Sequence, residues 1–356
     1  MPKAPPNTTP QRGPLAASPA LRAALAAWYR AHRRRLPWRE SPSLYKTVVS
    51  EFMLQQTQVE TVLPYFARWQ KKFPDFAALA AAREAEVVKL WEGLGYYRRA
   101  RLLHALAREL VQLPAPPETA EAWLALPGVG PYTAAAISSI AFGAPAAVVD
   151  GNVVRVLARL LGERRQFKDG SSAVKFFTPA ADALLDAANP GNHNQAIMEL
   201  GATVCTRRNP LCTVCPFVTD CVAAARGEAE DLPRFAAKET TRTELVRLWV
   251  ERDGALLLHR RPAGARRLAK MCELPDAASL PAAKIENKPL AIKRRTIANE
   301  LFIESIHRAT FPPGSADPAK NPAEGFIWAT PARLARLTLS GPHRKWVEEL
   351  RKMNPA

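Results

Sequence analysis

No apolar run in the chain approaches the roughly 20 residues of a membrane-spanning helix, so nothing in the sequence marks an integral membrane protein. Cysteine is scarce, with five in 356 residues, four of them in one short stretch. That pattern is unlike the disulfide framework of a small secreted domain. Acidic residues are also in deficit: 33 Asp and Glu against 50 Lys and Arg leave a formal charge of +17. Such a surplus attracts a polyanion, nucleic acid first, although strong basicity also occurs without such a partner. The opening MPKAPPNTTPQRGPLAASP lacks the apolar segment of a signal peptide, and its prolines predict a disordered lead-in over residues 1–19. Length allows about two domains with real cores. A soluble intracellular protein is the expectation.

What is present centres on Leu126–Arg155, LPGVGPYTAAAISSIAFGAPAAVVDGNVVR. Gly128 and Gly130 flank Val129, and Pro131 opens an Ala-rich helix expected to run to about Phe142. Glycine in such a turn permits positive φ and leaves backbone amides uncovered at the positive end of the second helix, where they can hold a phosphate oxygen. Asp150 directly precedes a helix with Val153, Val154, Leu157, Leu160 and Leu161 on its apolar side. On local grounds it is an N-cap contributing roughly 1 kcal/mol.

Upstream, Leu21, Ala24, Leu25, Trp28 and Tyr29 form a helical stripe that leads through Arg33, Arg34 and Arg35 into Leu36-Pro37-Trp38-Arg39. The basic run by itself is a solvated face. A helix is expected over Ser43–Thr57, with Tyr45, Val48, Val49, Phe52 and Met53 inward and Glu51 off the stripe, hence exposed. WEGLGYYRRAR, residues 91–101, sits between two helices. It is either a nucleic-acid loop that presents a wedge to the base stack or a core tyrosine pair beside a cap.

NQAIMELGATVC is helical and runs into Cys205, Cys212, Cys215 and Cys221, separated by six, two and five residues. Four thiolates so close can enclose a metal centre, and Pro210 and Pro216 stop the loop from continuing as helix. Zinc is the simple alternative, although closed four-Cys zinc sites more often use two close pairs. Beyond Ala225, RGEAEDLPRFAAKETTR reads as a polar, aperiodic linker. After it Leu245–Val250 and Ala255–His259 flank Asp253-Gly254, a hairpin signal. A strand-rich region follows, ending in a helix around Trp346–Leu350, and Cys272 reads as a small buried residue.

The glycine hairpin followed about twenty residues later by an apolar segment and an Asp resembles the helix-hairpin-helix, Gly/Pro-rich, Asp superfamily of base-excision glycosylases. SEFMLQQTQVETV around Glu51 resembles the segment that carries the general acid of MutY-type adenine DNA glycosylases. The cysteine spacing matches the iron-sulfur loop of MutY and endonuclease III. The stretches ELVRLWVERDGALLLHRRP, RRLAKMCELP and LTLSGPHRKW resemble the Nudix-like C-terminal domain of MutY.

The resemblance covers roughly residues 20–350 and implies a mainly α, endonuclease III-like N-terminal part, a six-helix barrel plus an iron-sulfur helical lobe assembled from the N-terminal helix and residues after about 150. This part is joined to an α+β Nudix-like domain. The implied boundaries are 20–225 for the catalytic region, 226–243 for the linker and 244–352 for an 8-oxoguanine recognition domain. The implied activity is hydrolytic removal of adenine mispaired with 8-oxoguanine or guanine in double-stranded DNA. The protein would act as a monomer in the bacterial cytoplasm, at the nucleoid and not at a membrane.

By the same resemblance Glu51 protonates the base, and Asp150, kept ionised by helix amides and solvent, stabilises the sugar cation. Tyr132 and Asn152 support it, and Trp38, Arg39, Leu54 and Gln195 line the adenine pocket. Tyr96 is inserted into the duplex, with Gln56 and Leu94 near the base opposite the target. Gly128, Gly130, Arg207 and Arg208 meet phosphates. One 4Fe–4S cluster, with a structural role, is held by Cys205, Cys212, Cys215 and Cys221. The paired metal-binding glutamates of a Nudix hydrolase are missing after Glu273, so recognition is implied in place of hydrolysis. The Phe-Ser-His type loop of many MutY proteins is also absent, and alignment puts Ile297-Ala298-Asn299 there, leaving Asn299 as the polar reader.

Two rivals stay open at this level. An endonuclease III-like lyase would carry its lysine two residues after the second hairpin glycine, where this chain has Tyr132. A non-enzymatic DNA-binding metalloprotein would share the hairpin, charge and cysteines but would have no use for Glu51 and Asp150 in these contexts.

Overall fold

The computed structural model describes residues 18–237, 239–265, 268–297 and 299–353. The expected lead-in, residues 1–19, lies outside these except for Ser18, whose side chain caps the first helix, and Pro19, which opens it. In chain order the helices are α1 (Pro19–His32), α2 (Pro37–Glu40), α3 (Leu44–Leu54), α4 (Val59–Lys72), α5 (Phe76–Ala81), α6 (Glu84–Leu90), α7 (Arg98–Leu110) and α8 (Ala120–Leu124). They continue with α9 (Pro131–Phe142), α10 (Gly151–Leu161), α11 (Gly170–Leu184), α12 (Pro190–Thr203), α13 (Val222–Ala225), α14 (Pro331–Arg336) and α15 (Gly341–Met353). The strands are β1 (Gln166–Phe167), β2 (Arg234–Phe235), β3 (Thr241–Trp249), β4 (Glu251–Arg252), β5 (Ala255–Arg260), β6 (Cys272–Glu273), β7 (Lys284–Ile297), β8 (Glu300–Thr310) and β9 (Phe326–Ala329). Among the described residues no helix is long and apolar enough to cross a membrane.

Contacts divide the chain into two compact units. Of the described residues, the first holds 18–56, 75–80 and 105–237, and the second holds 57–74, 81–104 and those from 239 to 353. In the first unit α9 packs on α3, α8 and α12, while α10 packs on α11, α12 and α13. Leu21, Leu25 and Trp28 of α1 share one core with Val153 and Leu157 of α10, Phe177 of α11, Ile197 and Leu200 of α12 and Phe217 of the cysteine loop. Each such side chain, fully buried, contributes roughly 1.5–3 kcal/mol. Helix α3 stops three residues short of the expected Thr57, because Gln56 turns to a φ of +54°. Where a linker was expected, Leu232 is buried and β2 pairs in parallel with β1, so the chain stays on the first unit through Phe235.

In the second unit α4 packs on α6, with Trp69 and Trp91 edge-to-face at 5.5 Å. Its strands form two sheets. In one, β8 lies between β3, to which it is parallel, and β7, to which it is antiparallel; in the other, β5 pairs with β4, β6 and β9. Asp253 and Gly254 both adopt left-handed φ, +51° and +71°, as the tight hairpin between β4 and β5 requires. The hairpin is shorter than its sequence signal suggests, because β3 leaves to pair with β8. Leu256 and Leu258 join a core with Trp249, Cys272, Ile306 and Trp346, while Leu257 points to a second core with Leu248, Val250 and Phe326. Strand β5 is therefore buried on both faces, and Cys272 is the small core residue its sequence context indicates.

Candidate active site

Glu51 is buried, at 7% exposure, and this corrects the expectation drawn from its place off the stripe. Periodicity misleads because α3 is enclosed on nearly all sides: Thr47 and Ser50 are buried along with the expected stripe. Tyr132, in the first turn of α9, places its hydroxyl 2.9 Å from Glu51 Oε2 and 3.1 Å from Met198 Sδ. Burial pushes the Glu51 carboxyl up to about 7, aided by the charge of Asp150 and opposed by the Tyr132 hydroxyl and by Arg39. Burial and the two carboxylates raise the Tyr132 phenol well above its ordinary value, so its proton is retained for donation.

Asp150 is the N-cap of α10. Its Oδ1 accepts from the backbone N–H groups of Asn152 and Val153, at 2.9 and 2.8 Å, and its Oδ2 accepts from Asn152 Nδ2 at 2.8 Å. Solvent contributes less than expected: burial raises the Asp150 carboxyl above its usual range, against the pull of the helix amides, the Asn152 side chain and Arg155. Asn152 Oδ1 in turn accepts from Arg155 Nη2 at 2.9 Å, and the same guanidinium donates to Gly201 O and Cys205 O, each at 2.6 Å. Helix α12 comes so near α10 here that a Cβ on Gly201 would lie 2.6 Å from that of Asn152.

Of the residues expected at the adenine pocket, Arg39 is held by Glu199, which sequence reasoning missed. Its carboxylate is buried and accepts from Arg34 (2.8 and 2.9 Å) and from both terminal nitrogens of Arg39 (3.0 Å each). Trp38 is buried, Leu54 half-buried one turn beyond Glu51, and Gln195 Oε1 accepts from the Tyr29 hydroxyl at 3.4 Å. The signal was available: Met198 and Glu199 stand three and four residues after Gln195, on one helix face. Arg155 and Arg159, also missed, follow Asn152 and Arg155 at the same kind of spacing.

In the hairpin only Gly128 needs glycine's freedom, at φ +75°, since Gly130 has φ −98°. Gly130 is the N-cap of α9, no side chain caps it, and a Cβ there would meet nothing, so the helix end is open to an approaching anion. Gln56, just past α3, is exposed. In the second unit the two readings of the tyrosine pair divide between its members. Tyr96 is 58% exposed with φ +46°, whereas Tyr97 is buried and its hydroxyl donates to Leu339 O at 3.3 Å. Leu94 is buried. Buried Arg99 lies 5.4 Å from the Tyr96 ring and donates to Thr57 Oγ1 at 3.0 Å. Asn299 is exposed at the β7–β8 turn, its carbonyl accepting from Thr241 N–H at 3.0 Å, while Ala298 is outside the described residues.

All four clustered cysteines are half-buried and free. They face one another: burial pushes the Cys215 thiol up to about 11, with the neighbouring Cys205, Cys221 and Cys212 adding to the shift. Among the described residues no three His, Cys, Asp or Glu side chains converge closely enough for a single metal ion. Four neighbouring thiols in one loop are ligands of the kind a metal group takes. Arg159, fully buried, donates to Thr206 O (2.7 Å), Arg207 O (3.1 Å) and Cys205 Sγ (3.3 Å), which fixes the start of the loop and leaves Arg207 and Arg208 exposed.

The profile of the HhH-GPD superfamily base excision DNA repair proteins matches residues 49–176, a span containing Glu51, Tyr132 and Asp150. The adenine DNA glycosylase of Homo sapiens is 46% identical over 228 residues, covering 60% of this chain and 41% of its own. That of Mycolicibacterium smegmatis is 36% identical over 260 residues, covering 65% of this chain and 88% of its own. The structure of a thermostable thymine-DNA glycosylase matches 58% of this chain and 95% of its own, with a TM-score of 0.50 and 28% identity. The chain spans only about two fifths of the length of its mammalian relatives.

Proposed function

The chain belongs to the adenine DNA glycosylases, and from that premise we propose that it removes adenine mispaired with 8-oxoguanine or guanine from duplex DNA and leaves an abasic site. The observation that carries the proposal is the buried Glu51 carboxyl, raised to about 7 and hydrogen-bonded by Tyr132, in the same unit as the N-cap Asp150. Adenine is a poor leaving group as an anion, so a proton must reach the base while positive charge builds on the sugar. Glu51 is half protonated near neutrality and gives its proton to N7. Asp150, oriented by two α10 amides and Asn152, stabilises the oxocarbenium ion or briefly bonds to it before water completes hydrolysis. The adenine must first leave the stack, at a few kcal/mol, least at a mismatch. Arg39, held by Glu199, and Gln195 read the base, with Trp38 and Leu54 as its apolar walls.

The thiolates of Cys205, Cys212, Cys215 and Cys221 would hold one 4Fe–4S cluster, which when bound ties the loop together. The loop's exposed Arg207 and Arg208, with the uncapped α9 N-terminus at Gly130, then contact phosphates. Tyr96, exposed and rigidly backed by Arg99, is the wedge into the duplex, with Gln56 and Leu94 beside the opposite base. The C-terminal sheets act as a Nudix-like reader of 8-oxoguanine through Asn299.

The test is a duplex with one adenine opposite 8-oxoguanine, in which abasic sites are counted after alkali. No abasic-site formation would overturn the reading. A hydrolytic enzyme also yields no stoichiometric borohydride-trapped adduct during efficient turnover, because Tyr132 supplies no amine; such an adduct would establish a lyase instead.

A further inference from the structure

Beside α1, at the start of α12, lies a cavity of about 230 Å³ that the chemistry above does not use. Arg22 and Arg30 of α1 and Arg33, just past its end, edge the cavity, and the N-cap of α12 contributes Asn189 and its first turn Asn192 and His193. Its donors are only partly used: Arg33 reaches the Tyr29 hydroxyl, which also lines the cavity. Arg22 spends Nη2 on Ala183 O at 3.0 Å, but its Nε is buried with no partner. Arg30 and Arg33 are exposed at the mouth. Asn189 stands at the N-cap of α12 without capping it, its Oδ1 accepting from Asn192 Nδ2 at 3.0 Å, so no side chain caps the positive end of a 14-residue helix beside the cavity. His193 is only 8% exposed, yet no described group hydrogen-bonds its imidazole. Burial lowers it to about 4, so it is a neutral donor at physiological pH. The opposing acid is Asp186, one carboxylate against three guanidinium groups, and its Oδ1 already accepts from Ala188 N–H.

We propose that this cavity is a phosphate-binding site, with Arg30 and Arg33 closing on the phosphate oxygens and His193 and the α12 N-terminus receiving it from below. The phosphate can belong to a free nucleotide or to a DNA strand. Carboxylates are less suited, because two guanidinium groups and a helix end together supply more donors than two oxygens use. The site is independent of the glycosylase reading, since its readout is binding and not base removal.

Calorimetric titration of the whole 356-residue chain, carrying its cluster, with deoxyadenosine monophosphate and with inorganic phosphate tests it, alongside the salt dependence of binding to undamaged duplex. The same measurements are made on Arg30→Ala/Arg33→Ala and on His193→Phe, which fills the cavity. For a free nucleotide, both variants weaken small-phosphate binding about tenfold or more. For a DNA strand, small phosphates do not bind, and both variants weaken duplex binding, the arginine pair lowering the salt slope by about 2. Unchanged binding of every probe in the arginine variant overturns the proposal. So does an effect of the arginine pair without any effect of a folded His193→Phe, which would mark an ordinary surface contact. If His193→Phe does not fold, His193→Ala replaces it, with the same expected losses.

Discussion

Two carboxyls with different surroundings set the behaviour of the site. Glu51 keeps a proton near neutrality because burial disfavours its charge; burial raises Asp150 too, but there three N–H donors oppose the rise. Glu51→Gln and Asp150→Asn should each lower single-turnover adenine release by orders of magnitude while DNA affinity changes little. Folding survives in Asp150→Asn because Asn caps a helix about as well as Asp. Near-normal rates in either variant would remove its assigned role. The wild-type rate should also fall as pH rises through about 7, as Glu51, the proposed acid, ionises. The same group makes a stability prediction. A carboxyl raised from 4.5 to about 7 favours the folded state fully below the lower value and loses that contribution between the two. Glu51→Gln should therefore melt higher than wild type at pH 8, by up to roughly 3 kcal/mol of stability, with the gap closing in acid. A gap independent of pH would mean that Glu51 is not shifted.

Between elements, the approach of α12 to α10 decides where Asn152 stands. Gly201→Ala puts a methyl group 2.6 Å from the Asn152 Cβ and 3.1 Å from its carbonyl, so the start of α10 must shift. Adenine release is expected to fall about tenfold or more, since a displacement of the order of 1 Å at a catalytic group costs that much. Helix content by circular dichroism should be retained, and full activity would show that the helices separate without moving Asn152. Glu199 holds Arg34 and Arg39 from the other side of α12. Glu199→Ala leaves the Arg39 guanidinium, 9% exposed, without its carboxylate, and a loss of about 3 kcal/mol is expected by denaturant titration. Arg34, 32% exposed, can return to water and limits the loss.

Across the whole chain, the residues after 237 do more than carry their own sheets. Within the second unit, Lys89 Nζ donates to Leu337 O at 2.9 Å, Arg344 pairs with Glu92, and Tyr97 reaches Leu339. These contacts surround the 91–97 loop that presents Tyr96. Truncation after residue 237 is therefore expected to weaken the preference for adenine opposite 8-oxoguanine by two routes, the lost Asn299 and the unsupported loop. Asn299→Ala isolates the first route, and losing one hydrogen bond there should cost roughly 1–3 kcal/mol of discrimination. Equal preference in wild type, the point variant and the truncated chain would show that the C-terminal region has no part in reading the damaged base.

Much of this was legible in the chain itself wherever the signal is local. The cap at Asp150, the start of α9 at Pro131, the turn at Asp253-Gly254 and the cysteine loop that does not continue α12 follow from backbone preferences and short spacings, which neighbouring residues determine. The burial of Glu51 was not legible from periodicity, because a stripe describes one helix against one surface and α3 is enclosed on nearly every side. Nor was the division between Tyr96 and Tyr97, adjacent residues of one type, which depends on a partner carbonyl about 240 residues away. The docking of Arg234–Phe235 on β1 and the turn of β3 toward β8 were hidden for the same reason. Backbone propensity acts over a few residues, whereas burial and strand pairing are decided by segments distant in sequence, and only the folded chain brings those together.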